Sequence, residues 1–299
     1  MIVNSSIESI VREHGNDRSR LMDVALAVQR QDGFVSDDAV HEMAAALSMQ
    51  PVEVEDTVSF YSFLNRKPLG RFHIRVSKTP VSLMKGAAEV MRALIAAVSE
   101  NQAEFTVEWT SDIGMADQEP SALINQTVVT NLTPEVVPSL VAALRTHGDP
   151  AQLPEAKVRS SLVQPGPIIF SPNRNAGDGV KAALALSPEA VIKEISKSKL
   201  RGRGGAGFPT ALKWRLCRES MGDGHHVVCN ADEGEPGTFK DRVLLTHTPD
   251  LVFDGMTIAA YALGARHGLV YLRGEYEYLL ASLQQVLEKR RQLGLLGFD

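Results

Sequence analysis

Apolar residues recur every three to four positions through the first sixty residues. IESIVREHG (7–15), RLMDVALAVQRQDG (20–33) and SDDAVHEMAAALS (36–48) each carry one apolar stripe, the pattern of a helix with a single buried face. Ser36-Asp37-Asp38 opens the third as a capping run, and Pro51 predicts the start of a fourth helix, PVEVEDTVSFYSFL. The pattern then changes. RFHIRV (71–76) alternates and predicts a strand. PVSLMKGAAEVMRALIAAVSE (80–100) predicts one amphipathic helix, FTVEWTS (105–111) a strand, and SALINQTVVTNL (121–132) a hairpin turning near Asn125-Gln126. A helix follows over 133–148, between a Thr133 cap and a Gly148 stop. The order β-α-β-β-β-α predicts a small α/β unit of thioredoxin-like type.

Residues 148–167 hold four prolines and little periodicity, the composition of a linker. Beyond it, helices are predicted over 187–200 and 208–220, a strand over 225–230, and helices over 239–265 broken near Pro249. A strand over 267–272 and one long helix over 274–297 complete the pattern. The expected fold class is α/β throughout, behind a helical head.

Composition narrows the function. The 299 residues carry 31 Lys+Arg against 36 Asp+Glu, a net charge of −5, so no basic excess draws the chain to nucleic acid or anionic lipid. Two cysteines, Cys217 and Cys229, exclude a disulfide-rich scaffold and any zinc or iron–sulfur site held by four cysteines of this chain. The 70–148 unit has no cysteine, which excludes a C-x-x-C thiol redox protein. The start lacks a secretory h-region, and the most apolar stretch, LVFDGMTIAAYALGA (251–265), contains Asp254 and is too short to span a bilayer. A cytoplasmic protein without membrane insertion is expected.

Two loops carry the chemistry. In LRGRGGAGFPTALKW (200–214), Gly202, Gly204 and Gly207 match G-x-G-x-x-G, but a helix rather than a strand is predicted before them, so the dinucleotide-fold fingerprint is rejected. Bare backbone amides running into a helix N-terminus still suit a phosphate, and Arg201, Arg203 and Lys213 add positive charge. In CNADEGEPGTFKDR (229–242), Asp232, Glu233 and Glu235 follow a strand end, where α/β proteins place ligands. As residues alone they fit acceptors for flavin or ribose groups, a metal site of unfamiliar spacing, or a solvated acidic turn. His225 and His226 alternate on a strand and are not expected to share a metal. No G-x-S-x-G or comparable nucleophile motif is present.

Together with YLRGEYEY (271–278), whose tyrosines are expected at a domain edge, these loops resemble the flavoprotein subunit that oxidises NADH in respiratory complex I and its soluble relatives, over residues 176–299. The resemblance implies that Gly202, Arg203, Gly204 and Lys213 cradle FMN. It implies that Asn230, Asp232 and Glu233 contact the flavin or its phosphate-bearing tail. Phe208 would stack on NADH and Glu235 would contact it. Residues 18–148 resemble the family's thioredoxin-like [2Fe–2S] partner subunit, but Ser77, Ser82, Ser111 and Met115 stand where that subunit has four cysteines. No cluster is therefore expected in this unit. The fusion, with DQEPSAL (117–123) replacing the cluster segment, is similar to the large diaphorase subunit of soluble NAD-reducing [NiFe] hydrogenase.

That resemblance implies a head and cluster-less thioredoxin-like domain over 1–148, a linker over 149–175 and an incomplete FMN/NADH-binding domain over 176–299. Family members continue into a region with a [4Fe–4S] site, so the chain is expected to be an N-terminal part. The implied function is hydride transfer between NAD(H) and FMN, with electrons passed to clusters of partner subunits: a small iron–sulfur diaphorase subunit and hydrogenase subunits. An assembly fragment, or the flavoprotein of a formate dehydrogenase or of complex I, are the alternatives.

Overall fold

A computed structural model describes residues 6–99, 103–164, 166–171, 175–222 and 224–297. The head is four helices: α1 (Ile7–Glu13), α2 (Leu21–Asp32), α3 (Asp37–Leu47) and α4 (Pro51–Phe60). Their apolar stripes converge on Val24, Val28, Val40, Met43, Val54 and Val58, all buried. The Ser36 hydroxyl caps α3 through Ala39 N–H, and the Glu53 carboxylate accepts the Gln50 N–H at the start of α4.

A four-stranded sheet of order β2-β1-β3-β4 follows, built from β1 (Phe72–Ser77), β2 (Phe105–Thr110), β3 (Ala122–Ile124) and β4 (Thr127–Val129). β1 runs parallel to β2 and antiparallel to β3, with Ile74 opposite Val107 and Ile124. The crossover is α5 (Pro80–Met84) and α6 (Ala87–Val98), and α7 (Val137–His147) closes the unit. Phe72, Ile74, Val76, Val90, Leu94, Leu140 and Leu144 form its core. The single helix expected over 80–100 is therefore two, broken where Gly86 takes φ +98°. The hairpin turns at Asn125, φ +56°, whose side chain accepts the His73 N–H. The alternation of β1 does not put polar residues into water. His73 and Arg75 are buried because β1 is a central strand, and they pair with Glu108 and the Asn125 carbonyl.

The chain divides into two compact units, but not at one point. The described residues up to Ser111, with Pro120–Ala156, form the first; Asp112–Glu119 and the described residues from Lys157 onward form the second. Residues 149–156, expected as linker, pack with the first unit: Leu153 lies in its core and Glu155 O accepts the Thr130 N–H. Pro165 and 172–174, within the expected linker, lie outside the described residues.

In the second unit α8 (Asp178–Leu184), α9 (Pro188–Lys197), α10 (Thr210–Glu219) and α12 (Pro249–Leu263) gather around Ala183, Val191, Ile192, Ala211 and Ala262. β5 (His226–Ala231) and β6 (His267–Leu272) pair in parallel over their whole length. α11 (Lys240–His247) follows β5, and α13 (Leu280–Gln292) ends the unit. The helix expected over 274–297 begins instead as a 3-10 segment, Gly274–Leu279, with a kink at Tyr276. Among the described residues no helix is long and apolar enough to cross a membrane.

Candidate functional site

The glycine loop is a pinched excursion between α9 and α10. Thr210 N–H donates to Leu200 O at 3.0 Å and Gly202 N–H to Phe208 O at 2.9 Å, closing its neck. The Arg201 guanidinium donates to Gly207 O at 2.9 Å and holds the far side. Gly205 (φ +123°) and Gly207 (φ +60°) adopt backbone that a side chain resists. Gly204 does not; a Cβ there would meet open space, so nothing in the fold itself requires that glycine. Gly202, Arg203 and Gly204 are exposed, and α10 starts at once behind Pro209 with no side chain capping it. Lys213 lies exposed in the second turn of α10, and Phe208 presents 46% of its surface.

The acidic loop leaves the C-terminal end of β5. Asn230 Oδ1 accepts the Asp232 N–H at 3.2 Å, tying these two together. Glu235 is exposed and its carbonyl anchors Thr238. Glu233 does something else. Its backbone is left-handed (φ +44°), its side chain is fully buried, and its carboxylate accepts the N–H groups of Asp241 at 2.7 Å and Arg242 at 3.1 Å. It is the cap of α11, a role its position in an acidic run did not disclose. Tyr276 Oη donates to the same carboxylate at 3.1 Å, and Lys240 Nζ lies 3.7 Å away. These internal bonds occupy the Glu233 carboxylate; its neighbour Asp232 is half-buried and Glu235 is exposed. Among the described residues no hydrogen bond or ion pair joins the glycine loop to the acidic loop.

Behind the acidic loop lies a buried polar network that motif reading missed. Arg273 donates to Glu233 O and to Asp112 O, each at 2.6 Å, and pairs with Glu275 at 3.1 Å. Arg242 pairs with Asp117, both almost fully buried. Burial pushes the Asp117 carboxyl up, but hydrogen bonds from Ser161 and Arg242 outweigh it and hold its pKa below the usual range. Tyr276, expected at a domain edge, is fully buried. Burial, then the Glu233 charge, raise its pKa well above the ordinary phenol value, so it stays a donor. Cys229 is half-buried, and desolvation, then the Asp241 charge, raises its thiol pKa. The readable signal was that Arg242 ends one conspicuous motif and Arg273 sits in another.

His226 and His267 face each other across the β5–β6 register with ring centroids 5.7 Å apart. Among the described residues no group of three His, Cys, Asp or Glu could hold a metal.

Residues 195–295 match the model of the Nuo51 FMN-binding domain, and residues 7–145 that of the thioredoxin-like [2Fe-2S] ferredoxin. The chain therefore joins, in one polypeptide, a stretch similar to a thioredoxin-like ferredoxin and a stretch similar to a Nuo51 FMN-binding domain. Over nearly its whole length the chain is similar to one subunit of an NAD-reducing hydrogenase. That relative is the alpha subunit of NAD-reducing hydrogenase HoxS from Cupriavidus necator, 40% identical over 314 residues, covering 99% of this chain and 52% of the relative. An NADH-quinone oxidoreductase component of Aquifex aeolicus is 45% identical over 118 residues, 40% of this chain and 28% of that one. The crystal structure of an NAD+-reducing [NiFe]-hydrogenase in the H2-reduced state superimposes with TM-score 0.76 and 35% identity, over 91% of this chain and 48% of the other. The air-oxidized form gives 0.75 and 34%, over 90% and 48%. The chain spans about half the length of the hydrogenase subunit it matches.

Proposed function

We propose that the chain is the FMN- and NAD(H)-binding part of a diaphorase subunit. In that role it transfers hydride between NAD(H) and FMN and passes electrons to iron–sulfur clusters of partner subunits in an NAD-reducing hydrogenase. The observation that carries this reading is the match over 99% of the chain to a hydrogenase alpha subunit, with both loops inside the stretch matching the FMN-binding domain.

The donor set fits an anionic ligand. Exposed glycine amides lead into an uncapped helix N-terminus, and Arg203 and Lys213 pair with no carboxylate among the described residues. The loop backbone of Gly202, Arg203 and Gly204 would hold the FMN phosphate, and Lys213 would place its charge at the phosphate or ring oxygens. Asn230 and Asp232 would accept hydrogen bonds from the flavin or its tail. Phe208, half exposed beside the loop neck, would stack on the dinucleotide, and Glu235 would accept from it. The Glu233 carboxylate would act only through the loop backbone it fixes. Bound FMN supplies the two-electron and one-electron redox chemistry; the chain's residues bind, orient and hold charge.

The thioredoxin-like unit would serve docking rather than electron transfer, because serine hydroxyls and a thioether are poor iron ligands. A [4Fe–4S] cluster, a small iron–sulfur diaphorase subunit, hydrogenase subunits and a cytoplasmic setting complete the proposed assembly. FMN titration of the purified chain tests the reading: saturable quenching of flavin fluorescence at one equivalent is expected, followed by loss of flavin absorbance on adding NADH. A chain that leaves FMN fluorescence unquenched overturns it.

A further inference from the structure

The geometry points to Asp112 as a positioning residue for the acidic loop, through a brace contributed by Asp112–Glu119. This inference rests on the proposal that residues 230–238 form part of the flavin and dinucleotide site. The brace is a departure from the thioredoxin-like pattern at the place where that pattern brings cluster ligands, between Ser111 and Met115. Here the segment groups instead with the second unit.

Asp112 spends both carboxylate oxygens on backbone. Oδ1 accepts the Gly114 N–H at 2.6 Å, and Oδ2 accepts the Gly237 N–H at 2.8 Å, at the far end of the acidic loop. The Asp112 carbonyl receives Arg273 Nη2 at 2.6 Å, while Arg273 Nη1 reaches the Glu233 carbonyl at 2.6 Å. Asp112 thus fixes the loop twice: directly at Gly237, and through Arg273 at Glu233. Gly114 holds Tyr276 in place as well. Its φ is +77°, and a Cβ there would stand 2.3 Å from Tyr276 Oη, the atom that donates to the Glu233 carboxylate. Asp117 completes the brace by neutralising Arg242, whose own N–H is one of the two that Glu233 caps.

The consequence for the site follows from Glu233. A non-glycine residue in the left-handed region is strained and persists where its surroundings over-determine it. Glu233 is held at its carbonyl, at both carboxylate oxygens and, one turn on, at Gly237. That reversal is what buries Glu233 between a half-buried Asp232 and an exposed Glu235. Removing the brace frees the loop to relax, so Asp232 and Glu235 lose their preset positions.

Asp112→Asn is the discriminating variant. It keeps the volume, but one acceptor oxygen becomes an N–H donor aimed at a backbone N–H, so one of the two bonds is lost. Amide hydrogen exchange in the ligand-free chain should show the 232–238 peptide exchanging about tenfold faster than in the parent, with β5 and β6 unchanged. Gly114→Ala, acting through Tyr276, should give the same local pattern. FMN titration of the same proteins should show affinity lowered about tenfold in both variants. Unchanged exchange at 232–238, or faster exchange with FMN affinity equal to the parent's, overturns the inference. If the parent itself binds no FMN while the loop still loses protection, the flavin reading falls and the brace stands.

Discussion

Asp117 and Arg242 illustrate how much a single buried charge can carry. Arg242 is 2% exposed and its Nε has no partner, so Asp117 is the group that compensates its charge. Asp117→Asn keeps the shape and one acceptor but leaves the guanidinium uncompensated, which should cost about 3 kcal/mol. The pH dependence follows from the lowered carboxyl pKa. A depressed folded value means the unfolded chain takes up the proton first, so the ion pair's contribution is complete above about pH 5 and is lost as pH falls through the folded value. Denaturant titrations of parent and variant should therefore differ fully at neutral pH and converge only once pH has fallen below the depressed folded value. In the glycine loop, Gly204→Val meets open space and no positive φ, so its melting temperature should match the parent's while flavin affinity falls about tenfold. A melting temperature lowered with unchanged FMN affinity would assign that glycine to the fold instead. Glu235→Gln should weaken NADH use and leave flavin content intact, since this exposed carboxylate has no structural bond through its side chain; kinetics and flavin absorbance read the two separately.

Among the elements, what the sequence made legible is local, and what it hid is tertiary. The stripes in α2 and α3, the Ser36 cap, the Pro51 start and the Asn125 turn are set by residues within a few positions of each other, and all appear where read. The glycine and acidic loops stood out for the same reason: each is a contiguous composition. The direction of the Glu233 side chain was not legible, because it depends on Tyr276 and Arg273, some forty residues on. Nor was the role of Asp112, bonded across 125 positions to Gly237. The break between α5 and α6 lies between these cases. The apolar period runs through Gly86 without a fault, yet the glycine takes φ +98°. Gly86→Ala should not merge the helices, since α5 is fixed by the Thr79 cap and by Ser82 Oγ donating to Ser77 O at 2.7 Å. It should instead force an alanine into the left-handed region at a cost of about 1 kcal/mol, seen in urea unfolding with unchanged helical circular dichroism.

At the scale of the whole molecule, the question is where an electron could go after leaving a bound flavin. Within the thioredoxin-like unit the positions that would carry thiolates have other work. Ser77 and Ser82 are fully buried and bonded to each other through backbone and hydroxyl, and Ser82 N–H is taken by Thr79. Ser111 directly follows β2 and ends the first stretch of the first unit, whereas Met115 groups with the second unit, so the fourth position has passed to the brace. Cys217 and Cys229 lie in the other unit, on α10 and β5, and neither has a second thiol in its own element. Serine hydroxyls and a thioether are poor substitutes for the thiolates that hold a [2Fe–2S] cluster. Anaerobic reconstitution of the chain with iron and sulfide, followed by iron and acid-labile sulfide assay and electron paramagnetic resonance after reduction, should therefore return no stoichiometric [2Fe–2S] centre. Two irons and two sulfides per chain with a reduced-cluster signal would overturn this. It would also move the electron route back into this polypeptide. If the assay returns none, the proposed electron route from flavin runs outside this polypeptide, and the thioredoxin-like unit keeps the docking role proposed for it.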